Sequence, residues 1–325
     1  MAEIKKHYNI MTSCDEGLLS QVLVLLYSIS RNLNDATTDF YFLHRGIPAG
    51  KMKVHYALCA ELKNVVFHDI VVPEAEVYDE LARYGGGWAG EAYYSVCAHL
   101  LLPESVDRVL YLDAGDTLVL HDIGPYYNGD FEGKSLIATS IRYKYEGTRM
   151  VPMEREDLQD TKGNLPGILR GIFNSGSYVM NLEQMRKDGL TLNDYLYLID
   201  TLKSVYGEDN HKIYWGDQGL LAAAFVGDIK YYGYPEIANL WYMPYNFCVW
   251  YYDRVVEKPP YAPAVLHFAG GFKPWKGNYP IFVGRFQSEE GLHELSELKI
   301  GQAEHYYLWH EYAIITDFIL QRMGL

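Results

Sequence analysis

The chain has 325 residues, and 42 acidic against 28 basic side chains give a formal charge of −14. That balance excludes a nucleic-acid binder, which needs clustered basic charge to displace counterions from phosphates. With 49% hydrophobic and 22% charged residues the chain is globular, not a disordered tail or a fibre, and its length suits one large α/β domain or two smaller ones.

Residues 8–12 read as a short strand, and Leu19, Val22, Leu23, Leu26 and Ile29 follow at helical spacing, which makes a βα start. Residues 39–44 and 64–70 read as two more strands, with helical character over 48–62 between them. Strands alternating with helices predict a mostly parallel sheet. A helix is expected over 92–102, and the apolar run Arg108-Val-Leu-Tyr-Leu112 reads as a central buried strand. This strand ends at Asp113-Ala-Gly-Asp-Thr117, and in open parallel sheets ligands bind just beyond the carboxyl ends of the strands. Residues 141–169 are rich in charge, Gly and Pro and read as a long surface excursion; lying between two candidate site segments, they are expected to cover the site. A strand over 173–181, an amphipathic helix over 190–205, a short Ala-rich helix over 218–225, an aromatic-rich loop over 235–250 and a strand over 264–268 follow. Tyr307, Leu308, Tyr312, Ile315, Phe318 and Ile319 recur at helical spacing and predict a closing helix over 304–323.

No apolar stretch near the start approaches the roughly 20 residues of a membrane helix, and Lys5 and Lys6 introduce no apolar leader, so a cytoplasmic protein without a membrane span is expected. Cys14, Cys59, Cys97 and Cys248 are scattered and read as reduced core thiols. The 30 tyrosines serve core packing, sugar stacking or both.

Four groups of segments could carry chemistry. Asp113 and Asp116 follow the most hydrophobic strand, so packing fixes their backbone; two hard oxygen ligands there suit Mg²⁺ or Mn²⁺ shared with a phosphate, although a solvated Asp-Gly turn reads the same way. His267 precedes Gly270, Gly271 and Lys273, which puts an imidazole, a flexible backbone and an ammonium in one short loop. Imidazole favours Mn²⁺ over Mg²⁺ and Lys suits a diphosphate, while the alternative is a buried histidine beside a glycine turn. Asn174, Asp217 and Gln218 are polar groups on apolar segments, suited either to sugar hydroxyls or to capping. In Ser13-Cys-Asp15, Asp15 could cap the following helix.

Together these segments resemble glycosyltransferase family 8, the group that includes glycogenin and bacterial lipopolysaccharide galactosyl- and glucosyltransferases. The resemblance rests on Tyr-Leu-Asp-Ala-Gly-Asp-Thr at 111–117, Phe-Asn-Ser-Gly with Met180-Asn181-Leu182, Asp217-Gln218, and His-x-x-Gly-x-x-Lys-Pro-Trp at 267–275, and it covers about residues 7–280. It implies a GT-A fold, a Rossmann-like mostly parallel α/β sheet flanked by helices, with a catalytic domain over 1–280 and a helical extension over 281–325. It also implies a UDP-sugar donor, UDP-glucose or UDP-galactose, a divalent ion (usually Mn²⁺), a glycan or glycolipid acceptor as in lipopolysaccharide biosynthesis, and retention of anomeric configuration. On this resemblance Asp113, Asp116 and His267 match metal ligands, and Asn174, Asp217 and Gln218 match the sugar pocket, with Asp217 and Gln218 nearest the chemistry. Gly270 and Lys273 match diphosphate contacts, and the Ser13 to Asp15 segment the nucleoside site, with Asp15 on the uracil.

The chain departs from the family pattern in three places. Two residues, not one, separate Asp113 from Asp116, so either the loop bulges to present both or one alone binds metal directly. Gly17-Leu18 replaces a frequent Asn-Tyr, and Ser95 stands where many members have an Arg. Two other classes compete. A haloacid-dehalogenase-type phosphatase would place a similar Asp loop near the chain start with its carboxylates two apart, and a non-catalytic nucleotide-sugar-binding protein would keep the fold without turnover.

Overall fold

The computed structural model describes residues 6–140, 143–146, 149–152, 167–171, 173–231, 245–248, 263–270, 273–276 and 300–325. The chain opens with β1 (Lys6–Ser13), α1 (Leu19–Asn32), β2 (Ala36–His44), α2 (Ala49–Leu62), β3 (Val65–Val71), α3 (Val77–Arg83), a 3₁₀ stretch (Gly90–Cys97) and α4 (Ala98–Leu101). Then come β4 (Arg108–Leu112), β5 (Thr117–Val119), α5 (Gly124–Tyr127), β6 (Leu136–Ser140), β7 (Tyr143–Glu146), β8 (Arg149–Pro152) and β9 (Phe173–Asn181). The last part holds α6 (Leu182–Lys187), α7 (Leu192–Tyr206), α8 (Gly216–Ala224), β10 (Ile229–Tyr231), β11 (Phe247–Cys248), β12 (Val265–His267) and α9 (Ile300–Arg322).

A seven-stranded sheet has the order β10-β6-β9-β4-β1-β2-β3, and every neighbouring pair is parallel except those that β9 makes with β4 and β6. This is the expected mostly parallel sheet. Both faces of β4 are buried: Val109 and Tyr111 join one apolar cluster, Leu110 and Leu112 the other, as the two-residue side-chain period requires. A second sheet, β11-β12-β5, pairs β12 antiparallel to β5 with His267 opposite Thr117. The C-terminal helix α9 covers this sheet, burying Tyr306, Trp309 and Tyr312 against Leu118, Leu266 and Phe268.

Two elements differ from expectation for identifiable reasons. The helix expected over 92–102 is largely 3₁₀, because Tyr93, Tyr94 and Val96 are poor helix formers and are buried, so packing rather than propensity sets their path. Helix α7 begins at Leu192, two residues later than expected, because Thr191 and Asp194 form a reciprocal capping box in front of it. Within 141–169 the described residues form the β7-β8 hairpin, and Leu169 is buried in the core rather than lying on the surface. Residues 141–142, 147–148 and 153–166 of that expected cover, and most of the expected aromatic loop, lie outside the described residues.

Arg186 of α6 fastens the approach to β4: its guanidinium donates to the carbonyls of His99 (2.8 Å), Val106 (2.7 Å), Leu102 (3.3 Å), Pro103 (3.2 Å) and Glu104 (3.3 Å). A planar five-donor fork serves these divergent acceptors, whereas an ammonium cannot. Arg186→Lys is therefore expected to lower stability by about 1 to 3 kcal/mol, the range of a few charge-assisted bonds, as read by urea unfolding.

Candidate functional site

A pocket of about 940 Å³ opens at the carboxyl ends of β1 and β4. All ten residues matched to site roles line it: Ser13 and Asp15 after β1, Asp113 and Asp116 after β4, Asn174 at the start of β9, Asp217 and Gln218 in α8, and His267, Gly270 and Lys273 from β12 onward. Its size is at the upper end of small-molecule sites, roughly 300 to 1,000 Å³.

The Asp-Ala-Gly-Asp loop bulges. Gly115 sits at φ +72°, where a Cβ would stand 2.5 Å from Cβ of Gln21, so the turn depends on glycine. The bulge presents both carboxylates, and one ligand atom each from Asp113, Asp116 and His267 lies within 4.8 Å of the others. Backbone bonds fix the frame: Asp113 N–H donates to Gly176 O (3.1 Å), and Phe268 N–H to Asp116 O (2.7 Å). Gly176 is also required sterically, because a Cβ there would lie 2.1 Å from Cε1 of His267.

Asn246, which sequence reasoning passed over, orients the histidine. Its Nδ2 donates to Asn174 O (2.8 Å) and Oδ1 (3.0 Å), so its Oδ1 faces the His267 Nδ1 at 3.0 Å and accepts from it. Nδ1 then carries a proton, and Nε2 is the ring atom that faces the carboxylates, 3.4 Å from Asp113 Oδ2. Two carboxylates and an imidazole form a donor set suited to Mn²⁺ or Mg²⁺. For metal–ligand distances of about 2.0 to 2.2 Å, neighbouring and facing ligand atoms stand roughly 3 to 4.4 Å apart, so only small side-chain movements separate this arrangement from a coordinating one. Of the two loop carboxylates, Asp116 carries the cation contact: Lys273 Nζ contacts it and donates to Phe268 O at 2.9 Å. Burial pushes the Asp116 carboxyl above its usual range against the pull of Lys273.

Asp217 is buried; Oδ1 accepts from Ser175 Oγ (3.1 Å), while Oδ2 has no hydrogen-bond partner among the described residues. Desolvation, then the Asp113 charge, pushes its carboxyl up to about 7. Gln218 Oε1 lies 3.4 Å from both Asn174 Nδ2 and Ser175 N. Asp15 performs the capping role as well, accepting from Gly17 N–H at 2.8 Å while it borders the pocket. Ser95 is fully buried and does not line the pocket, so it offers no substitute for an Arg there; Lys276, a second cation beside Lys273, does line it. Trp88 and Trp215 stand at the rim, both substantially exposed.

A mostly parallel sheet with a paired-carboxylate and histidine pocket at its strand ends defines a glycosyltransferase of the GT-A fold. The chain belongs to glycosyl transferase family 8, whose model matches residues 9–278, and this sets aside the phosphatase alternative. Among solved structures, an active-site Gln-to-Glu mutant of LgtC is similar at a TM-score of 0.60 and 18% identity, over 90% of this chain and 96% of that one. The galactosyltransferase LgtC with donor and acceptor sugar analogs gives 0.54 and 21% over the same shares, 90% and 96%. The glycosyltransferase GlyE of Streptococcus pneumoniae TIGR4 gives 0.58 and 17%, over 98% of this chain and 63% of that one. No curated protein matches the chain significantly. Among the described residues no helix is long and apolar enough to cross a membrane.

Asn246→Leu, which keeps the branched shape at a somewhat larger volume but removes the acceptor for Nδ1, is expected to weaken Mn²⁺ binding about 10- to 100-fold, as measured by metal titration. Asp217 contributes a pH dependence of defined sign. Its folded value, about 7, lies above the ordinary 3.8, so the stability it contributes is complete below pH 4 and is lost as pH rises through 7. In chelator, Asp217→Asn is expected to gain melting temperature over the parent at pH 8 and to lose most of that advantage at pH 5.

Proposed function

We propose that this glycosyltransferase moves a hexose, glucose or galactose, from a UDP-sugar to a glycan or glycolipid acceptor with retention of configuration, aided by Mn²⁺ or Mg²⁺. The observation that carries this reading is the convergence of Asp113, Asp116 and His267 ligand atoms within 4.8 Å on the wall of a pocket that also holds Lys273, Asn174 and Asp217.

On this reading Asp113, Asp116 and His267 hold the ion, which when bound offsets charge on the departing diphosphate. Lys273 leaves Asp116 and takes its place on the diphosphate, with Gly270 keeping the loop close. Asp15 and Ser13 face the nucleoside. Asn174 and Asp217 bind sugar hydroxyls, Asp217 Oδ2, unpartnered among the described residues, being the atom that a hydroxyl satisfies. Gln218 lies nearest the anomeric carbon. A covalent route needs a good nucleophile there, and neither candidate qualifies: Gln218 is an amide, and Asp217 is hydrogen-bonded to Ser175, with burial raising its carboxyl and so disfavouring the anion. The chemistry of these residues favours attack from the face that UDP leaves, with the preorganised cations stabilising the leaving group. A cytoplasmic location belongs to the same reading.

A panel of UDP-sugars assayed for Mn²⁺-dependent hydrolysis separates an enzyme from a binding protein: turnover is expected with one hexose donor. Asp113→Asn is expected to abolish metal-dependent UDP binding in calorimetry with the melting transition retained, and Gln218→Ala to slow transfer roughly 10- to 1,000-fold, the loss of one preorganised contact. Unchanged UDP affinity in Asp113→Asn, or a product of inverted configuration by NMR, would overturn the assignment.

A further inference from the structure

Beside the donor pocket lies a second, more open groove of about 500 Å³, and Trp88 with Ala89 belongs to the walls of both. The far side of this groove carries Arg83, His211 and Lys212. We infer that the groove is a distal subsite for the acceptor, which is a glycan of at least two sugar units whose terminal unit sits beside the donor and whose next unit crosses Trp88. The inference rests on the glycosyl-transfer reading and deepens it by naming the acceptor class.

Trp88 is a held platform, not a loose rim residue. Its ring packs edge-to-face against Trp215 at 5.1 Å and lies 3.3 Å from where a Cβ on Gly216 would stand. Even so it remains 40% exposed and Trp215 52% exposed, a rare condition for indoles. An indole face fixed in this way matches the apolar C–H face of a pyranose. The side chains beyond it suit hydroxyl oxygens: His211 and Lys212 are exposed, and Arg83 is engaged by Glu80 through a 3.5 Å contact alone among ion pairs of the described residues. The one acidic member, Asp79, is held by Arg45.

The backbone beneath argues against a peptide. Gly86 N–H donates to His211 O (3.1 Å), Ile213 N–H to Tyr84 O (2.9 Å) and Gly216 N–H to Gly85 O (2.9 Å), so the two segments satisfy each other. The edges that face each other are therefore closed to an extended peptide. The same bonds tie the groove to Asp217 and Gln218 along one continuous segment, which fixes the distance from distal subsite to donor.

The test is an array of defined mono- to hexasaccharides probed with the full chain in UDP and Mn²⁺. The parent is expected to retain at least one glycan of two or more units about tenfold more strongly than its terminal monosaccharide. Trp88→Ala should erase that length preference, Trp88→Phe should keep most of it, and Lys212→Ala, on an exposed side chain, should weaken the longer glycans selectively. Retention of no glycan, equal retention of monosaccharides, or an unchanged length preference in both Trp88→Ala and Lys212→Ala would overturn the inference. UDP binding in the same buffer separates the two readings: if UDP binds and length does not matter, the subsite alone falls, and if UDP does not bind, the glycosyl-transfer reading falls with it.

Discussion

The site depends on the burial of β4 on both faces. A strand enclosed between β1 and β9, with alternate residues in two apolar clusters, cannot slip register without exposing one set and burying polar groups in its place. Arg186 fixes its entry and the Asp113 amide bond to Gly176 fixes its exit. The carboxylates just beyond therefore start from a backbone that has no freedom to relax away from each other. Their closeness is imposed by hydrophobic packing several residues upstream, which is why a charged cluster persists in a chain that already carries a charge of −14.

Asp113, Asp116 and Asp217, three of the carboxyls that line one pocket, are electrostatically unfavourable together unless their charge is offset. The protein offsets it by three different means. Lys273 contacts Asp116, Tyr111 donates to Asp113 Oδ1 at 3.0 Å, and Asp217 is desolvated far enough to hold its proton near neutral pH. The ammonium beside Asp116 lowers the charge of the cluster directly, and its second bond, to Phe268 O at 2.9 Å, keeps it there. Lys273 and Lys276 both line the pocket and supply its cationic charge from the segment that follows β12.

The βα order of the first half was legible up to β4 where the signals are local: Leu19 through Ile29 at helical spacing, and the run from Arg108 to Leu112 between charged ends, need no knowledge of what they pack against, whereas β5, β6 and β10 were not read. The chemistry-bearing loops were legible for a related reason, since each ends a strand and pairs a turn-forming glycine with a polar group. What was not legible depends on long-range pairing. Asn246 reads as one polar residue in an aromatic stretch, and its role exists only because β11 lies beside β12 and places it between Asn174 and His267. Trp88 and Trp215 are more than a hundred residues apart, so no periodicity joins them. The capping box at Thr191 and Asp194 was readable in principle, and shows that a capping pattern locates a helix start more sharply than hydrophobic spacing does.

The C-terminal helix is part of the same construction. Asn32 Nδ2 donates to Val119 O (2.9 Å) and Tyr312 Oη (2.9 Å), so one side chain joins α1, β5 and α9. Trp309 packs against Trp275, two residues beyond Lys273, with ring centres 5.5 Å apart. The small sheet that delivers His267 has only short strands, and strands of that length are not stable by themselves. It therefore takes its rigidity from α9 on one side and α1 on the other. The main sheet fixes the two aspartates, the helix at the end of the chain fixes the histidine and lysine, and the pocket forms where these two independently supported halves meet.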